Sequence, residues 1–99
     1  MKEVTDADFE AEVLTAEGPT IVDFWAPWCK PCKAIDSLLE AIAAERGVRL
    51  VRLNVDEHVG VPSRYGVLSL PTVILFEGGE PKATVVGARP RAHFERAFF

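Results

Sequence analysis

The strongest constraint on the fold is a helix set between two strands. Thr20-Ile21-Val22-Asp23-Phe24-Trp25-Ala26 is β-branched and aromatic, the make-up of a buried strand. Val48 to Val55 is a further strand, alternating apolar and polar over Val51-Arg52-Leu53-Asn54-Val55. Between them Ile35, Leu38, Leu39 and Ile42 recur at i, i+3, i+4 and i+7, and Arg46-Gly47 supplies a stop. A helix of this length permits a parallel crossover. Around this unit, Met1 to Val4 reads as a short edge strand, and Thr5 with Asp8 as a capping box opening a first helix with Phe9, Val13 and Ala16 on one side. Val61 to Gly66 allows a short helix begun by Pro62. Thr72 to Phe76 and Lys82 to Val86, joined through Glu77-Gly78-Gly79-Glu80-Pro81, form an antiparallel hairpin pattern. Pro90 suits the first position of a last helix whose apolar residues are Phe94, Ala97 and Phe98. The expected class is α/β, a mixed central sheet of about five strands with helices on both faces.

Ninety-nine residues make one domain, 1–99, and a composition with 48% hydrophobic and 26% charged residues is that of a globular chain. The longest stretch free of charge, Tyr65 to Phe76, is twelve residues with Pro71 inside it, short of the ~20 that a membrane span needs. The first six residues lead into no apolar segment of a secretory signal, so a cytoplasmic address is expected. A net charge of −4 without a Lys/Arg run argues against a nucleic-acid partner.

Only two cysteines are present, in Cys29-Lys30-Pro31-Cys32. A loop this short gives little chain-entropy stabilisation, so the pair points to redox exchange or a metal. At i and i+3 of a helix two side chains lie roughly 5–6 Å apart, within the span a disulfide tolerates. Cys29 falls at the helix N-terminus, where unpaired N–H groups and the helix dipole favour a thiolate, and Pro31 suits the first turn. Cys29 is therefore expected to be the more exposed, attacking thiol and Cys32 the resolving one. Asp23 is the odd residue of its strand. Burial should raise its pKa, making it a candidate base for Cys32, although a buried acid held by a local hydrogen bond fits the residue equally well.

The segment Val22-Asp23-Phe24-Trp25-Ala26-Pro27-Trp28-Cys29-Lys30-Pro31-Cys32-Lys33 resembles the active-site signature of the thioredoxin family, D-F-W-A-x-W-C-G-P-C-K. Arg52-Leu53-Asn54-Val55-Asp56, Arg64-Tyr65-Gly66-Val67, Leu70-Pro71-Thr72, Phe76-Glu77-Gly78-Gly79-Glu80 and Val86-Gly87-Ala88 resemble further family segments in the same order. The resemblance implies a thioredoxin fold and a protein disulfide reductase that works through a mixed disulfide, within electron transport and cell redox homeostasis. The disulfide-containing protein is its substrate, and thioredoxin reductase returns it to the dithiol at the expense of NADPH. No cofactor is implied beyond the Cys29–Cys32 couple. Residue by residue, Cys29 attacks, Cys32 resolves and Asp23 manages its proton, while Arg52 stands where the family has a lysine paired with that acid. Pro71 matches a cis-proline that aligns the substrate backbone, and Trp28, Leu70, Gly87 and Ala88 match an apolar platform for an extended peptide. A monomer is expected.

Lys30 occupies the slot usually held by glycine, and a cation beside Cys29 should stabilise its thiolate and make the couple modestly more oxidising. Ser37 replaces a proline that commonly bends the helix, and Ser69 replaces a glycine, narrowing the approach to Leu70-Pro71. Three other readings compete with a reductase. A zinc site would need ligands that the isolated His58 and His93 do not supply, so no metal is expected. The Lys30 cation leans toward a disulfide oxidase or isomerase. A docking module of the same fold without catalysis would have little use for Cys29, Cys32, Asp23 and Pro71 together.

Overall fold

A computed structural model describes residues 1–99. Five strands, β1 (Lys2–Val4), β2 (Thr20–Trp25), β3 (Arg49–Asn54), β4 (Thr72–Glu77) and β5 (Glu80–Val86), form one sheet in the order β1-β3-β2-β4-β5. Strands β1 and β2 run parallel to β3 on either side of it, whereas β4 pairs antiparallel with β2 and β5 with β4. The expected crossover is therefore present, since β2 and β3 are neighbours joined through the helix between them.

Alternation along β2 assigns the two faces. Val22 and Phe24 enter one core with Phe9, Val13, Leu53, Val61 and Phe76. Ile21 enters the other, with Ile35, Leu39, Ile42, Val73, Phe94 and Phe98. Both faces of the sheet are covered, and β2 is buried on each side. Asp23 lies in the same alternation as Ile21, and its place in the strand is wholly enclosed.

Several elements differ from the sequence reading. Thr5 and Asp8 do form the capping box, each backbone N–H donating to the other's side chain at 2.7 and 3.1 Å. The first helix nevertheless shrinks to a π-helical turn, Glu10–Leu14, because the Thr15 hydroxyl donates to the Ala11 carbonyl while the Thr15 N–H donates to Glu10. The long helix divides into α1 (Lys30–Ala34) and α2 (Asp36–Arg46). The interruption falls at Ile35, two residues before Ser37, so the helix divides here without a proline. Helix α3 (Gly60–Arg64) opens at Gly60 and not at Pro62, since the Asp6 carboxylate accepts the Gly60 and Val61 N–H groups at 2.9 and 2.8 Å. Pro90 is the N-cap of α4 (Arg91–Phe98), with an extended ψ of 158°, and does not sit inside the first turn. Ala97 is exposed, leaving Phe94 and Phe98 as the buried face of α4. The β4–β5 hairpin turns through Gly78 and Gly79, both at positive φ as a two-residue hairpin requires. No helix is long and apolar enough to cross a membrane.

Candidate active site

Cys29 is the N-cap of α1, with extended φ and ψ, and its Sγ accepts the Cys32 backbone N–H at 3.2 Å. An N–H donor aimed at the sulfur favours negative charge there. Cys29 and Cys32 are paired in a disulfide with their Cα atoms 5.4 Å apart. Both are buried, at 3% and 1% exposure, so the expected contrast in accessibility is small. They pack on Ala26, and Trp25, Val55 and Leu70 close the surroundings. Lys30 is exposed and forms no ion pair, and Pro31 follows in the first turn, where a missing N–H costs nothing.

Asp23 has no exposure, and neither of its carboxyl oxygens meets a hydrogen-bond donor. Burial, reinforced by the charge of Asp36, pushes its pKa up to about 7, against a pull downward from Arg52. The expected pairing of Arg52 with Asp23 is not made. Strand register sets the two residues opposite each other, yet the Arg52 Nε donates to Glu3, Nη1 lies 3.7 Å from Asp36 Oδ2, and the guanidinium stacks 4.0 Å over the Trp25 ring. An arginine fork can serve a carboxylate and an aromatic face together, and those partners hold it away from the enclosed acid.

Trp28 is 69% exposed and stands outside the core. Its indole Nε1 donates to Asp56 Oδ2 at 3.0 Å, and Asp56 is in turn held by its own N–H donating to Asn54 Oδ1 at 2.9 Å. The ring borders a cavity of about 210 Å³ completed by Val55, Val67, Leu68, Ser69 and Leu70. Leu68 is 97% exposed. Ser69, expected to narrow this approach, does line it. The Leu70–Pro71 peptide bond is cis, and the Pro71 carbonyl accepts the Gly87 N–H at 2.8 Å, tying the glycine loop to the proline. Gly87, at φ +98°, and the exposed Ala88 lie outside the lining of that cavity and are joined to it through Pro71. Asp36, Asp56 and Leu68 went unnoticed as site residues in the sequence. Their spacing from the cysteines carries no signal, although Asp56 sits at the end of a noted strand segment. No group of three or more His, Cys, Asp or Glu side chains is placed to hold a metal ion.

A disulfide closed between the N-cap and first turn of a helix, with an enclosed, unpartnered acid in the strand that leads to it, is the arrangement of a thiol–disulfide exchange protein. The family model "Thioredoxin" matches residues 1–98. The thioredoxin of Streptomyces clavuligerus is 48% identical over 93 residues, covering 93% of this chain and 87% of that protein. The thioredoxin of Rhodospirillum rubrum is 46% identical over 93 residues, with 92% and 89% covered. Thioredoxin M2, chloroplastic, of Arabidopsis thaliana is 47% identical over 90 residues, 89% of this chain and 48% of that one. The chain belongs to the thioredoxin family, its sheet and helices are the thioredoxin fold, and its activity is that of a protein-disulfide reductase working by thiol–disulfide exchange.

Proposed function

We propose that Cys29 is the attacking sulfur and Cys32 the resolving one in the reduction of protein disulfides. The observation that carries this assignment is the position of Cys29 as N-cap, its sulfur accepting the Cys32 N–H. The Cys29 thiolate attacks one sulfur of a substrate disulfide, and the other sulfur leaves as a thiolate. Cys32 then gives up its proton to Asp23, directly or through one water, and its sulfur displaces the substrate from Cys29. The pair ends as the disulfide, and the substrate as two thiols. Lys30 and Pro31 shape the turn around Cys29, and Arg52 tempers the charge near Asp23. An extended peptide lies against cis-Pro71 with the Gly87-Ala88 loop on one part of its path and the Trp28–Leu70 pocket on another.

The dithiol is restored by thioredoxin reductase with NADPH as the source of electrons, and the chain works as a cytoplasmic monomer of one domain, 1–99, in electron transport and cell redox homeostasis. It needs neither nucleic acid nor membrane. Insulin reduction by dithiothreitol tests the assignment. The protein should accelerate precipitation, Cys29→Ser should abolish the acceleration, and Cys32→Ser should accumulate a mixed disulfide on Cys29. A Cys29→Ser protein as active as the parent would overturn it. Lys30 is exposed and unpaired, so its charge acts on Cys29 through solvent, and Lys30→Gly should lower the reduction potential by no more than ~30 mV against a glutathione buffer.

A further inference from the structure

The enclosed carboxyl of Asp23 meets no donor, and the cation opposite it in the sheet is engaged by Glu3, Asp36 and the Trp25 ring. Asp36, in the first turn of α2, is half-buried over the face of the sheet toward which Asp23 is directed. Arg52 is set opposite Asp23 in the sheet and its Nη1 lies 3.7 Å from Asp36 Oδ2, so the two carboxyls border one guanidinium on the same face, and each raises or lowers the other's hold on a proton. Two carboxylates so placed repel, whereas an acid facing a carboxylate makes a charge-assisted O–H···O bond. We propose that Asp36 is a positioning residue that shares one proton with Asp23, so that the two acids titrate as a pair and together set the pH at which Cys32 can be deprotonated. The second half of this statement rests on Asp23 being the base for Cys32.

The charged groups around the pair fix where the proton sits. Asp23 faces Arg52 on β3, Glu3 on β1 and Asp36 on α2, while its β4 neighbour in register is the apolar Val73. Asp36 faces Arg52, Glu40 and the terminal amine. Burial is the first cause holding a proton on either acid, and Asp23, wholly enclosed where Asp36 is partly open, is the one for which charge is more costly and so the carrier of the proton. In the resolving step the Cys32 proton passes to Asp23, Cys32 sulfur bonds to Cys29 sulfur, and the Cys29–substrate bond breaks. The electron pair leaves on the substrate thiolate, which takes a proton from water. Asp23 accepts only after its own proton has gone, and Asp36 is the partly open member of the pair.

Carbon-13 carboxyl NMR titration of the reduced full chain tests the pairing. In Asp36→Asn the like charge is gone, a carboxamide N–H can donate to Asp23, and Arg52 loses a partner, so all three changes act downward. The Asp23 midpoint should fall by about one pH unit. Asp36→Glu keeps a carboxyl and should restore much of the fall, which loss of packing alone would not produce. An unchanged midpoint in Asp36→Asn overturns the shared proton. The pH–rate profile for resolution of a Cys29 mixed disulfide should move to lower pH in step with the midpoint. A midpoint that falls beside an unmoved profile overturns the link to Cys32. If Asp23→Asn also leaves that profile unmoved, the base role of Asp23 fails while the shared proton stands.

Discussion

Two aspartates at opposite extremes of solvation show how this fold treats a negative charge. Asp6 is exposed and accepts two backbone N–H groups at the start of α3, and the bond from Val61 is the chief reason its pKa lies below the ordinary value. Asp23 is enclosed in the central strand without a donor, and burial raises its pKa to about 7. The first acid holds structure together, capping a short helix from a distant part of the chain. The second costs stability whenever it is charged, and that cost keeps its proton exchangeable near neutrality. Asp56 stands between them, an exposed acid that anchors the Trp28 ring at the pocket.

Neutralising Asp23 should break the contrast with the largest effect. Its carboxyl releases a proton near 3.8 in the unfolded chain and near 7 in the folded one, so the folded state holds more protons between those values. Its contribution is full below the unfolded pKa, falls as pH rises through that window, and is lost above the folded pKa. Asp23→Asn should therefore unfold at higher urea than the parent at pH 8, by a free energy on the order of 4 kcal/mol at most, and the gap should narrow toward pH 4. A variant less stable than the parent at pH 8 would contradict a charge burden at this position.

Asp6→Ala should act in the opposite direction and less strongly, costing about 1 kcal/mol at pH 7 through the lost cap. Because the folded pKa of Asp6 is lowered, its contribution is present above the unfolded value of 3.8 and disappears as pH falls through the folded one. The parent and Asp6→Ala should accordingly converge in urea melts carried out in acid, and a penalty that persists there would assign the loss to packing. Asp56→Ala, freeing the Trp28 ring, should raise the KM for insulin a few-fold with little change in kcat, since it loosens a docking surface and touches neither sulfur. The smallest effect is expected for Glu3→Gln. It removes a distant negative charge and one partner of Arg52, so the Asp23 midpoint should drop by less than in Asp36→Asn, and a rise would reverse the role given to Arg52.

The sheet, its crossover and its hairpin were legible because burial on two faces writes β-branched runs, amphipathic spacing and paired glycines into the chain. The cysteine pair was legible for the same local reason, as i and i+3 on a helix end are neighbours whatever the rest of the fold does. Helix ends were read less well. The start of α3 depends on Asp6, more than fifty residues upstream, and the break at Ile35 falls where no proline or glycine announces it. Side-chain partnerships across the sheet were read least well. Arg52 was assigned to Asp23, and register does set them opposite, but Glu3, Asp36 and Trp25 compete for the same guanidinium and prevail.

By itself the sequence determined the class of fold, the redox couple and the presence of an acid inside a strand, all consequences of residue types at short spacing. Tertiary structure decided what surrounds them: an acid with no donor, a cation drawn to other partners, a second carboxyl brought near it, and a pocket built by Trp28, Leu68 and Leu70 from separate segments. Charge and solvation are set by everything within several ångströms in space, and no local pattern along the chain records those neighbours.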